Sequence, residues 1–209
     1  AEKQVQTRLA NSLRGSFAER LTEHNPAEPV VHISGKGANT IVADSCGHIR
    51  FSHGDLSINE VHFDRFSASR SLSVLFCDGA GVYSAAPFTD NGKFSFESAA
   101  GYAAHICSST EFSGRVKYYT DAAGCFITET KSDGGKSYSL VFSFDVQLAS
   151  DKQFYSHPAF SRLFVSADYD KSTNTLIYTK NTQNGKDSIY MAVGLSNAAL
   201  PLSFETNKD

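Results

Sequence analysis

The 209-residue chain has no tryptophan, one methionine, five prolines and no Cys-X-X-Cys pair. Its four cysteines, Cys46, Cys77, Cys107 and Cys125, are far apart. That spacing argues against a zinc ribbon or a thioredoxin-like redox motif and leaves two alternatives, two disulfides or four half-buried thiols. No Asn-X-Ser/Thr acceptor occurs among ten asparagines, which leans away from a eukaryotic secreted glycoprotein. No apolar run approaches the roughly 18 residues of a membrane span, and no basic, apolar, small-residue series resembles a secretory leader. Gly-X-Ser-X-Gly, His-Glu-X-X-His, P-loop and Gly-X-Gly-X-X-Gly patterns are all missing, and with them the commonest signatures of acyl transfer, metalloproteolysis and nucleotide binding. Charge is balanced at a net −3, so there is no excess of basic residues of the kind a general nucleic-acid binder carries.

What is present is alternation. From Tyr138 to Leu148 every even position is a large apolar residue, while Ser139, Ser143, Asp145 and Gln147 stand at odd positions. Successive strand side chains point to opposite faces, so this segment reads as one long strand with an apolar face and a wet face. Extended at about 3.3 Å per residue, residues 137–148 span roughly 40 Å, against a radius of gyration of about 17 Å for a chain of this size. One such strand crosses the whole molecule, which predicts a single antiparallel β domain over residues 26–209.

Strand patterns also cover Val30 to Ser34, Thr40 to Ala43, His48 to Ser52, Leu56 to Phe66, Leu72 to Cys77, Gly81 to Ala85, Lys93 to Glu97 and Ala103 to Cys107. They continue over Phe112 to Thr120, Gly124 to Thr130, Arg162 to Tyr169, Thr175 to Lys180 and Ser188 to Leu195. Turn signals such as Ser34-Gly35-Lys36-Gly37, Asp78-Gly79, Asp90-Asn91-Gly92 and Gln183-Asn184-Gly185-Lys186 separate them, and the last three strands form an antiparallel meander. The expected fold is all-β, an antiparallel β-sandwich, jelly roll or barrel of about 10–14 strands.

The first 25 residues differ. Val5, Leu9, Leu13, Phe17 and Leu21 recur every four positions among charged residues, the pattern of an amphipathic helix over residues 3–23 that ends before Pro26 and Pro29. This N-terminal helical arm is expected to cover the sheet, dock on a neighbouring subunit or meet a membrane interface.

Three constellations could carry chemistry or binding. His32, Cys46, His48, His53, Asp55, His62 and Asp64 form a histidine-rich region in which Cys46 and His48, like His62 and Asp64, would share a strand face. Such pairs suit metal ligation or a Cys-His nucleophile, but the alternation around His48 is also that of a solvent-facing strand, and His53-Gly54-Asp55 reads as a turn. The Gly/Ala-rich Cys77 to Tyr83 course precedes a strand pattern and so reads as a hairpin rather than a phosphate cradle. Hydroxyls and rings at Ser137, Ser139, Ser143, Tyr119 and Tyr190, on or beside the long strand, suit sugar or protein recognition.

No catalytic, metal or cofactor residues are therefore assigned. The expected function is a non-enzymatic structural subunit of the capsid, tube, spike or fibre type found in virions, binding copies of itself or another structural protein. The alternative is a secreted recognition module, a lectin-like domain, adhesin or membrane-interacting β toxin with a glycan or membrane partner. The candidate interaction surface is Val5, Leu9, Leu13, Phe17 and Leu21 together with Ser139, Ser143, Asp145 and Gln147.

Overall fold

The computed structural model describes residues 20–59, 72–88, 92–150, 152, 165–181, 188–196 and 203–204. The chain divides into two compact units, residues 1–145 and 146–209. Strands make up 65% of the described residues, so the all-β, antiparallel expectation holds. There are sixteen strands among them, in four small antiparallel sheets of three to five strands. The sheets are the size of β-propeller blades and unlike the two broad layers expected of a sandwich.

The first sheet contains β1 (Arg20–Glu23), β8 (Lys93–Ala99), β9 (Tyr102–Ser108), β10 (Ser113–Thr120) and β11 (Phe126–Ser132), in that spatial order. The second contains β12 (Ser139–Phe144), β6 (Leu72–Cys77) and β7 (Val82–Ser84). In the third, β5 (Leu56–Asn59), β4 (Ile49–His53), β3 (Asn39–Asp44) and β2 (Val31–Lys36) follow one another. The second unit holds β13 (Val146–Ser150) and the meander β14 (Val165–Asp170), β15 (Thr175–Asn181) and β16 (Ser188–Gly194).

Short turns explain why the strands stay local. β2 to β5, β8 to β11 and β14 to β16 each pair with their sequence neighbours, because a tight turn delivers the next strand antiparallel to the last. At Asp78 the side-chain oxygen accepts the amides of Ala80 and Gly81 at 2.8 and 2.9 Å, closing the β6–β7 hairpin predicted for the glycine-rich course. Gly54 takes φ +60° in the β4–β5 turn, the conformation glycine adopts at least cost.

The three sheets of the first unit share one core. Ile41, Ile49 and Phe51 meet Leu72, Val74 and Phe76 and then Phe96, Val116 and Tyr118. Phe76 packs 4.9 Å from Phe112 and edge-on to Tyr138 at 6.0 Å. Each such fully buried side chain stabilises the fold by roughly 1.5–3 kcal/mol.

Two expectations fail. The strand from Tyr138 to Leu148 is broken at Asp145: β12 ends at Phe144, β13 starts at Val146, and the two belong to different sheets and different units. Within β13 itself Leu148 carries φ +47°, a left-handed backbone unusual for leucine. The predicted helix over residues 3–23 also gives way at its end, where Arg20–Glu23 form β1 and pair with β8 from Arg20↔Ser98 to Glu23↔Ser95. An available sheet edge satisfies these four backbones, overriding a weak helical periodicity. Val5, Leu9, Leu13 and Phe17 lie outside the described residues.

Candidate interaction surface

The large apolar side chains left in solvent follow a pattern. Among the described residues they are Leu21, Val31, Ile33, Val82, Leu140, Val141, Phe142, Tyr190, Val193, Leu195 and Phe204. Nine of these eleven lie on β1, β2, β7, β12 and β16, each the end strand of its sheet, and none lies on an interior strand. A sheet edge presents unpaired backbone N–H and C=O groups, and exposed apolar side chains beside it make the edge adhesive.

β12 is the clearest case. All five residues from Ser139 to Ser143 are exposed, with Leu140 at 38%, Val141 at 47% and Phe142 at 41%. Pairing with β6 sets Leu140 opposite Phe76, Phe142 opposite Val74 and Phe144 opposite Leu72, so the even positions do share the core-facing side of the sheet, as the alternation predicts. Burial nevertheless stops at β6. Tyr138 and Phe144 pack against the core at the two ends, while Leu140 and Phe142 between them overhang it.

The polar positions of the same stretch are not one surface. Ser139 and Ser143 face outward on β12 and Asp145 is exposed at the break, but Gln147 on β13 is only 5% exposed and donates its side-chain amide to the Ala149 carbonyl at 3.1 Å. The displacement of Gln147 follows from the break at Asp145. Tyr119 belongs to β10 and Tyr190 to β16, in sheets other than that of β12, and Ser137 precedes the strand. Leu21 is 65% exposed on β1.

The histidine-rich region resolves into a turn. Cys46 and His48 sit in the β3–β4 connection rather than on a strand face. Asp44 organises that turn: its Oδ1 accepts the amides of Cys46 and His48, both at 2.9 Å, and its Oδ2 accepts His48 Nδ1 at 2.8 Å. Burial pushes the Asp44 carboxyl upward, yet the hydrogen bonds and charge of His48 and the Cys46 amide together hold it below its usual value. Gly47 takes φ +100° there, and a Cβ on it would strike the Phe88 ring.

Two further histidines converge on this turn. His24 donates Nδ1 to the Ser45 carbonyl at 2.9 Å. His105, fully buried on β9, donates Nε2 to the Asp44 carbonyl at 2.7 Å and accepts the Tyr118 hydroxyl on Nδ1 at 3.3 Å. Because a carbonyl can only accept, the ring is fixed as the neutral Nε2–H tautomer. Burial lowers its pKa to about 4, outweighing the hydrogen bond to the Asp44 carbonyl and the Asp44 charge, which both act to raise it. Sequence patterning missed both Asp44 and His105; the face shared by Ala103, His105 and Cys107 is the signal that could have placed His105 in the core.

Chemically, the Asp44–His48 pair can move a proton, but the neighbouring thiol is not an ionised nucleophile. Burial and then the Asp44 charge push Cys46 above its usual pKa. His32 lies on β2 opposite Ala43, beside the Asp44 turn, while His53 Nδ1 donates to Asn39 Oδ1 at 2.6 Å at the other end of β4. His62 and Asp64 lie outside the described residues. No three His, Cys, Asp or Glu side chains among the described residues group as metal ligands, and all four cysteines are free thiols.

The outer face of the first sheet carries a second polar cluster. Lys117 Nζ stands 4.3 Å from the Tyr102 ring centre and 5.2 Å from that of Tyr119, while Arg115 and the Tyr102 hydroxyl both bond Glu97 Oε1 at 2.5 Å. No described helix is long and apolar enough to cross a membrane. Set against known protein families and curated proteins, the chain matches no family model and has no significant curated relative.

Proposed function

We propose that this chain is a structural assembly subunit that acts through protein–protein contacts with copies of itself or another structural protein. The setting the sequence suggests is a shell, tube, spike or fibre of the virion type. One observation carries the reading: the solvent-exposed large apolar residues concentrate on sheet-end strands, and β12 exposes three in succession. Soluble monomers usually blunt such strands with lysine, proline or bulges, because an apolar edge templates pairing with another chain. Light scattering on the full chain over a concentration series tests this. A mass that rises to dimers or larger species supports the proposal, and a monomer at every concentration refutes it.

The outer face of the first sheet favours a second reading, a recognition module. Tyr102 and Tyr119 flank Lys117 with Arg115, Glu97 and Glu129 nearby, and rings beside fixed donors and acceptors suit sugar hydroxyls. Glycan-array binding that is lost in Tyr102→Ala, with a monomeric mass throughout, would favour it over assembly.

A further inference from the structure

We infer that β12 is a self-complementary edge that pairs antiparallel with β12 of a second copy, about a two-fold axis through Val141. The inference rests on the assembly reading above and names its contact. Read outward from Val141, the sequence repeats its chemistry in both directions: Leu140 matches Phe142, Ser139 matches Ser143, and Tyr138 matches Phe144. Antiparallel pairing centred on Val141 therefore sets apolar against apolar, hydroxyl against hydroxyl and ring against ring, the self-complementarity an isologous interface requires.

Charge agrees with the register. Residues 137–144 contain no charged side chain and no proline, so nothing on β12 opposes a neighbouring strand. Lys136 and Asp145 bracket the segment at opposite ends. Antiparallel pairing about Val141 sets Lys136 opposite Val146 and Asp145 opposite Ser137, which keeps like charges apart, whereas in-register parallel pairing would stack Lys136 on Lys136 and Asp145 on Asp145.

Burial completes the argument. β12 ends the sheet in the order β12, β6, β7, so its outer backbone edge has no described strand on it. Leu140 and Phe142 stand on the face that Val74 and Phe76 bury, but are 38% and 41% exposed. A second β12 would join two three-stranded sheets into one of six strands and extend the apolar layer over both overhanging side chains.

The test uses the full chain and two substitutions at the exposed two-fold position. Val141→Lys sets two like charges directly opposite each other and is expected to weaken self-association roughly a hundredfold. Val141→Cys is expected to give a disulfide joining position 141 of two chains, because opposed residues in an antiparallel pair have Cα atoms about 4.5–5.5 Å apart, within disulfide reach. Peptide mapping separates this cross-link from any at the four native cysteines. Val141→Thr, β-branched and of similar size, should associate like the parent, and circular dichroism checks the fold of each variant. If the parent chain assembles but Val141→Lys assembles equally well and position 141 does not cross-link, the β12 inference is overturned while the assembly reading stands. A parent chain that stays monomeric overturns both. Should Val141→Lys not fold, the cross-link at position 141 decides alone.

Discussion

Acidification should loosen the first unit through one buried ring. His105 ordinarily titrates near 6.5 and is held to about 4 in the fold, because the charged ring would have to be desolvated among Phe96, Tyr118 and the Asp44 turn. Its native pKa is depressed, so the unfolded chain binds the proton more readily than the folded one. The stability contribution is complete above 6.5 and is lost as the pH falls towards 4. The loss amounts to about 3 kcal/mol once the pH is below both values, a large part of the 5–15 kcal/mol typical of a domain. Burial lowers His32 too, adding a smaller effect of the same sign. Asp44 works in a lower range: its depressed pKa contributes stability above its ordinary value of 3.8, and that is lost only below it. Urea denaturation of the parent chain and of His105→Gln at a series of pH values between 6.5 and 4 separates these effects. His105→Gln can still donate to the Asp44 carbonyl but cannot titrate, so its stability should fall much less across that range, whatever its absolute value. An equally steep fall in both proteins would refute the assignment.

Four substitutions test the rest of the framework by the same denaturation assay. Asp44→Ala strips the acceptor from two backbone amides and the His48 ring, and should cost about 2–4 kcal/mol; an effect below about 1 kcal/mol would mean that water replaces the carboxylate. Phe76→Ala opens a cavity at the shared core and should cost about 3–5 kcal/mol. Gly47→Ala forces a side chain into φ +100° and against Phe88, and should destabilise by more than about 1 kcal/mol, whereas Gly54→Ala, with open space around it, should cost less.

Local patterning made most strands legible. Leu72–Cys77 forms β6 over the residues that the alternation marks, and the β14–β15–β16 meander follows from its turn residues. Tertiary choices were not legible. Nothing in the unbroken alternation from Tyr138 to Leu148 records that the chain changes sheet at Asp145, because both halves satisfy the same two-residue period. Leu21 fits a helical stripe with Leu13 and Phe17, yet its backbone is claimed by the edge of β8. The histidines were visible as residue types, but their meeting at the Asp44 turn depends on β9 packing across β3, a contact between positions 61 residues apart. The exposure of β12 was half legible: Ser139 and Ser143 stand on an exposed strand, but Leu140 and Phe142, even positions expected inside, are also left uncovered.

The most direct measurement is the solution mass of the parent chain and of Val141→Lys, run side by side by light scattering at matched concentrations. The proposed assembly uses exposed sheet edges with β12 foremost among them, so the parent should gain mass with concentration and Val141→Lys should lag well behind it. A parent chain that remains a monomer at the highest concentration reached would contradict the account.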